Sequence, residues 1–313
     1  MRYYFRIFYR YLRRRPSSFI LPAVSLSIGV SISMIALLFI THEVSYDSFH
    51  SNFNNIYEIY IKSSFNGDTY DANTTTYSTG SKVKNLNLGI SAISRIDHPF
   101  NKVIISNPNK FDSKYVEHNF CFVDTNFLEA FSFKLKYGNK DLVLQKPYSV
   151  VITPKIAAKY FGKQDPIGKY LTFNNKYSLK ISGIIEPNPS NSSIHYEFLC
   201  PISTLRLIQH IEKTENLNND VALGEYETFV ILKDKSRTKE IESALKQMAS
   251  ANKIDKDSNI AFNLVPLSQI HKLQGNLSSV YISYVKAIPL IALAILIISI
   301  FNYINLIITK FLD

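Results

Sequence analysis

A chain of 313 residues, 46% of them hydrophobic, is long enough for one large domain or two small ones. Its net charge of +10 raises nucleic-acid binding, but that function needs a basic face on a folded domain. Here six arginines, Arg2, Arg6, Arg10, Arg13, Arg14 and Arg15, precede residue 17 with no acid among them, while residues 42–283 hold 27 basic and 24 acidic side chains, so nucleic acid is excluded as a partner.

Residues 1–16 read as an amphipathic helix at the cytoplasmic interface. Arg2, Arg6, Arg10 and Arg14 recur at helical spacing, Tyr4, Phe5, Phe8, Tyr11 and Leu12 cover other faces, and Pro16 ends the run. Its plainest role is anchoring to anionic lipid headgroups. Residues 17–41 follow without one Asp, Glu, Lys or Arg. At about 1.5 Å per residue such a helix crosses a hydrocarbon core of roughly 30 Å. The stretch is too long for the apolar core of a cleaved signal peptide, and no small-x-small site closes it. Basic residues beside a span stay on the cytoplasmic side, which puts the N-terminus inside and residues 42–283 outside.

In the segment outside the membrane, a strand is predicted over residues 56–63, where Ile56, Glu58, Tyr60 and Lys62 alternate with Tyr57, Ile59 and Ile61. A helix is predicted over 79–96 and a short strand over 102–106. The same order returns near the far end: strand 228–233, helix 238–251, strand 260–265. The two strand-helix-strand units, in residues 42–114 and 222–283, pair into one ferredoxin-like layer. Between them, residues 115–221 form a strand-rich insertion, with strands predicted at 115–123, 131–137, 148–152, 170–173, 177–185 and 196–201. Thr153 caps a short helix with Pro154 at its first position and Gly162 at its end. The fold class is therefore an α+β extracytoplasmic domain flanked by two transmembrane α-helices.

The second span covers residues 284–309, of which 287–309 carry no formal charge, and leaves residues 310–313 as a cytoplasmic end. Asn302 and Asn305 stand inside it at i, i+3 spacing, and an amide in hydrocarbon is unfavourable without a partner. They point to helix packing, either against the small-residue stripe of the first span, Ser25, Gly29, Ser33 and Ala36, or against a helix from elsewhere.

Signs of catalysis are weak. Residues 161–170 imitate a phosphate-binding loop, but five residues separate Gly162 from Gly168, and Tyr170 follows Lys169 where a Ser or Thr would hold magnesium. A turn around Asp165-Pro166 is the better reading. The seven histidines show no metal-ligand spacing. Asp47, Ser48 and His50 are adjacent, whereas a working triad is assembled from distant segments. No catalytic, metal or cofactor-binding residue is assigned. Cys121 and Cys200 either form a disulfide or remain two buried thiols.

One set of motifs is specific in its order and spacing. After the first span comes Glu43-Val44-Ser45-Tyr46-Asp47-Ser48-Phe49-His50, then Ile56-Tyr57. The middle contributes Asp124, Asn126-Phe127, Phe131-Ser132-Phe133, Gly138, Pro147, residues 149–153, Ala157, residues 159–162, residues 165–169 and Gly183. Residues 264–271 and Asn302-Tyr303-Ile304-Asn305-Leu306 complete it. Together they resemble the MacB/FtsX-like family of ABC-transporter permeases along the whole chain. Asn54, Glu58 and Ser193 depart from that family, which usually carries an acid, an Arg and a His at those positions. Its members continue into further helices, so the chain looks like the N-terminal part of a permease.

The resemblance implies mechanotransmission. Similar proteins form a homodimer or pair with a second permease half, recruit a separate ABC ATPase subunit, and convert its cycle into movement of extracytoplasmic domains for export or envelope regulation. It implies no enzyme activity in the chain itself and places it in the bacterial inner membrane. The competing reading is a two-span sensor whose outer domain binds a ligand.

Overall fold

The computed structural model describes residues 17–65, 68–86, 88–99, 102–110, 113–209, 225–251, 259–273 and 278–312. The interfacial helix expected over residues 1–16, with its six arginines, lies outside them. Two compact units result: residues 46–271, and the apolar chain before and after them.

The chain begins on α1 (Ser17–Val44). The folded unit then opens with β1 (Ile56–Phe65), β2 (Asp68–Ala72), β3 (Thr74–Thr75), α2 (Tyr77–Lys84) and β4 (Ile90–Asp97). It continues through β5 (Val103–Ser106), β6 (Lys114–Glu117), β7 (Phe120–Val123), α3 (Phe127–Ala130), β8 (Leu135–Tyr137) and β9 (Ser149–Ile152). Next come α4 (Pro154–Phe161), β10 (Tyr170–Phe173), β11 (Tyr177–Ile185), β12 (Phe198–Pro201) and α5 (Ile202–Ile208). It closes with β13 (Tyr226–Leu232), α6 (Thr238–Ala251), β14 (Asn259–Pro266) and α7 (Leu267–Leu273), and the last helix is α8 (Ser278–Leu312).

All the described strands join one sheet in the order β14-β1-β13-β4-β7-β12-β9-β11-β10-β5-β6, with β2 on β1, β3 on β13 and β8 on β11. The first four are antiparallel to their neighbours and carry α2 and α6 in the chain order of a ferredoxin-like layer. Alternation along each strand separates two faces. Ile59, Ile61, Val230, Leu232, Phe262 and Leu264 pack under Val83 of α2 and Ile241 and Leu245 of α6. The opposite face, with Ile56, Ile96, Phe229 and Ile231, meets Phe127, Phe131 and Phe133. A third core lies beneath α4, where Ile156 and Tyr160 meet Phe120, Phe173 and Phe198.

Several predicted elements move. The helix expected over 79–96 ends at Lys84, and residues 90–97 form strand β4. Gly89, at φ 78°, turns the chain in a conformation that L side chains rarely adopt. Ile90, Ile93 and Ile96 imitate helical spacing because both faces of this strand are covered: Ile93 belongs to the helix-side core and Ile96 to the opposite one. The strand expected at 102–106 forms as β5, but it pairs with β10 in the far half of the sheet instead of completing the ferredoxin-like layer. The strand expected over 115–123 breaks at Asn119, at φ 55°, into edge strand β6 and interior strand β7. Residues 131–137 are extended in a ladder only from Leu135, because Phe131 and Phe133 are drawn into the core with Phe127.

The cysteine alternative resolves to two buried free thiols. Cys121 and Cys200 sit on paired strands β7 and β12, but Cys121 is opposite Leu199 and Cys200 opposite Phe122. They therefore point to opposite faces and lie in different cores. Burial raises both thiols, Cys200 to about 12.

Candidate functional site

The apolar unit is a pair of helices held at a close crossing. A Cβ placed on Gly29 would lie 2.2 Å from Ser299 Oγ, so only glycine fits there. One turn along, Ser33 Oγ donates to Gly29 O at 2.8 Å within α1 and to Ala292 O at 3.3 Å across to α8. Ala36 and Ala292 are buried beside it. Ser27, Ser31 and Ser299 donate to the carbonyl four residues earlier, each at 2.8 Å, which satisfies their hydroxyls without water. Gly29 and Ser33 thus sit at the contact between the two helices. Asn302 and Asn305 are exposed on α8, and Ala292, Ile295 and Ser299 of that helix lie at the contact with α1.

Where the chain enters the folded unit, the segment after α1 is fastened at several points. Asp47, fully buried at φ 56°, accepts from the Ser193 backbone N–H at 2.8 Å on Oδ1 and from the Ser193 hydroxyl on Oδ2. Its own N–H donates to Asn191 O at 2.8 Å. Burial raises the Asp47 carboxyl above its ordinary range, and the two Ser193 bonds oppose that shift. His50 Nδ1 accepts from the Ser132 N–H at 3.1 Å, which leaves the ring proton on Nε2. The ring lies among Phe49, Phe131 and Phe133, and burial lowers the imidazole to about 4, so it is neutral at ordinary pH. Ser51 and Ser132 are joined through their hydroxyls at 2.7 Å.

The exit is tied to the entrance. His271 stacks on Tyr46 with ring centroids 3.4 Å apart and 11° between planes. Tyr46 stands two residues after α1, and His271 stands seven before α8. The adjacent Asp47 and His50 reach different partners, Ser193 and Ser132, and do not form a relay.

A second joint links the ferredoxin-like layer to the other half of the sheet, where β4 and β7 pair only at Ile96–Val123 and Asp97–Phe122. Asp124 accepts from Arg95 Nε at 2.8 Å, Nη2 at 3.1 Å and the backbone N–H at 3.0 Å. The guanidinium also covers the Tyr77 ring at 3.6 Å. Asn126 Nδ2 donates to Ile93 O at 2.9 Å. Nothing in the sequence paired Arg95 with Asp124; the available signal was a lone arginine within an apolar strand.

The decoy at residues 161–170 is a turn between α4 and β10. Gly162 and Gly168 have φ of 64° and 79°, Asp165 Oδ1 accepts from the Ile167 N–H at 3.0 Å, and Gly168 N–H donates to Ile181 O at 2.8 Å. Among the described residues no group of three His, Cys, Asp or Glu is arranged to hold a metal ion.

Comparison with known proteins points one way. The family model described as "MacB-like periplasmic core domain" matches residues 19–248. No curated protein matches the chain in sequence. Among solved structures, a domain of a permease protein from Porphyromonas gingivalis is 18% identical with a TM-score of 0.59, over 69% of this chain and 91% of that one. The periplasmic region of MacB from Actinobacillus actinomycetemcomitans is 18% identical with a TM-score of 0.47, over 72% and 94% of the two chains. The extracellular domain of the noncanonic ABC-type transporter YknZ from Gram-positive bacteria is 12% identical with a TM-score of 0.47, over 66% and 99%. At 18% identity the likeness to the first of these is one of fold alone.

Proposed function

The chain belongs to the MacB-like periplasmic core domain family, and on that premise we propose that it is the membrane subunit of a MacB/FtsX-like ABC transporter. It couples ATP hydrolysis by a separate cytoplasmic ATPase subunit to movement of its β-rich domain, for export or for regulation of the cell envelope. The observation that carries this reading is the Tyr46–His271 stack. The two chain connections to the apolar helices are fixed to each other, and Asp47 and His50 fix the first of them to the strand-rich half. A displacement of either helix along the chain is therefore delivered to the domain at one rigid place.

Two helices long and apolar enough to cross a membrane, within Pro22–Val44 and Ala287–Asn305, flank the domain. In this reading they span the bacterial inner membrane with both termini in the cytoplasm, in accord with the arginines before residue 17. The exposed Asn302–Asn305 face then meets a helix of a second copy or of a second permease half.

The test uses spin labels on exposed Lys110 and Lys140 of the full chain in native membranes, where the ATPase partner is present. Trapping with ATP and vanadate shifts the distance between labels on different copies, and the purified chain alone shows no shift. Labels that ignore nucleotide but respond to a small ligand would favour the sensor and overturn the permease reading.

A further inference from the structure

On the face of the ferredoxin-like layer opposite its helices lies a polar arrangement that the permease reading does not use. β1 and β13 pair at Ile56, Tyr57 and Glu58, opposite Ile231, Val230 and Phe229. Beyond Glu58 the strands part. β2 continues along β1 from Ile61, and β3 lies along β13 at Tyr226 and Glu227. The β2–β3 segment therefore enters the fork as a wedge, with Asn73 between its two strands. Glu58 stands on one prong and Glu227 on the other. Asn73 Nδ2 donates to Glu58 Oε1 at 3.2 Å and to Glu227 Oε1 at 3.3 Å, so one amide group bridges two carboxyl groups. Glu58 is fully buried, and the Tyr60 side chain is also hydrogen-bonded to its carboxyl group.

We propose that Glu58 and Glu227, bridged by the Asn73 amide, are not both ionised, and that the protonation they retain is a pH-sensitive latch holding the β2–β3 wedge in the fork between β1 and β13. Two carboxylates accepting from the same nitrogen in a dry site cannot both carry charge without strong repulsion. An ionised Glu58 would also place a full charge in a fully buried site with no cation beside it, whereas a protonated one is neutral.

Among the described residues, the groups around the pair supply no cation. Tyr60 shares the Glu58 side of β1 and is hydrogen-bonded to its carboxyl group, and on β14 the residues opposite Glu58 and Tyr60 are Val265 and Asn263. Glu225 and Asp97 lie next along β13 and β4, and Cys121 is on β7. Arg95 of β4 is opposite Thr228, on the other face, where Asp124 holds it. Burial first, then the charge of Glu227, raises Glu58 well above its ordinary value. Burial raises Glu227 to about 7, and burial with the nearby Glu225 and Glu227 raises Asp97 to about 7 as well.

The sign follows from linkage. The folded pair holds protons that the unfolded chain releases near the ordinary glutamate value, so the latch contributes fully below that value, weakens as pH rises through about 7, where Glu227 ionises, and is lost above that, where Glu58 follows. With both groups ionised the amide bridges two anions, and the prongs are driven apart.

Hydrogen exchange of the full chain in lipid nanodiscs, followed from about pH 6 to about pH 8.5, tests the latch. Protection of residues 68–75 and 226–229 should fall about tenfold more than base catalysis of exchange accounts for. In Glu58→Gln or Glu227→Gln the excess pH dependence disappears while protection persists. Wild-type protection that follows the intrinsic exchange rate alone overturns the proposal, whatever the variants do. So does a dependence that survives in both variants. A midpoint that moves with added calcium would make this a cation site and equally overturn the proton latch. If one variant fails to fold, the other and the wild-type titration still decide.

Discussion

Asp47 shows how much one side chain can hold in this fold. It lies three residues past the end of α1, at a backbone angle that disfavours most residues, and accepts from both the N–H and the hydroxyl of Ser193 across 146 positions of sequence. Removing a buried acceptor strands its donors, at a cost of about 1–3 kcal/mol. Asp47→Ala should therefore lower the stability of the full chain by about 2 kcal/mol, read as a lower denaturant midpoint in detergent, while Lys140→Ala on the exposed surface leaves the midpoint in place. An unchanged midpoint for Asp47→Ala would show that the anchor carries no stability. His50, lowered to about 4 by burial, adds a neutral acceptor at the same place, so the anchor is insensitive to mild acid on its account. The motif containing both residues was legible through its family resemblance. Their partners were not, because Ser132 and Ser193 are distant in sequence and nothing in their own neighbourhoods marks them.

At the scale of elements, the pair α1 and α8 is organised by the absence of a side chain at Gly29. Lipid supplies no hydrophobic drive for two apolar helices to associate, so the contact depends on close backbone approach. Gly29→Leu should separate them, and disulfide formation between Cys replacements of Ala36 and Ala292, which line one groove, should fall severalfold in membranes. Retained cross-linking in that variant would mean that the small-residue contact does not set the pairing. The same assay tests the asparagines: if their exposed face packs against another chain, Asn302→Leu with Asn305→Leu keeps the Ala36–Ala292 cross-link and weakens association between chains. The small-residue stripe was readable from spacing alone. The asparagine face pointed to packing without specifying the partner, since a helical period gives a direction but not the identity of a neighbour.

For the whole molecule, the proposed membrane subunit takes its orientation from the uneven charge, which favours an N-terminus in the cytoplasm. A reporter inserted after Lys110, on the exposed surface of the folded unit, should be active only if it works outside the cytoplasm; activity of a cytoplasm-only reporter there would invert the topology. The folded unit itself is one sheet with two differently built halves, joined by the short β4–β7 pairing and the Arg95–Asp124 ion pair. Under the proposed coupling, that narrow seam is the route by which a force entering beside Asp47 would pass from the strand-rich half to the ferredoxin-like layer.

The sequence determined the two apolar helices, their distinction from the balanced domain between them, and the strands at 170–173 and 177–185, because those depend on local composition and period. It also gave helix 238–251 its observed bounds, since an amphipathic helix on a sheet keeps one wet face. The tertiary structure decided what depends on a second surface. Residues 90–97 became a strand because cores on both sides of the sheet erased its alternation. The strand at 103–106 joined the far half because its ladder partner, β10, lies more than sixty residues downstream. Cys121 and Cys200 stayed apart because a one-residue offset between paired strands turns them to opposite faces. The Glu58–Asn73–Glu227 bridge exists only where two strands part around a wedge, a geometry that no local pattern encodes.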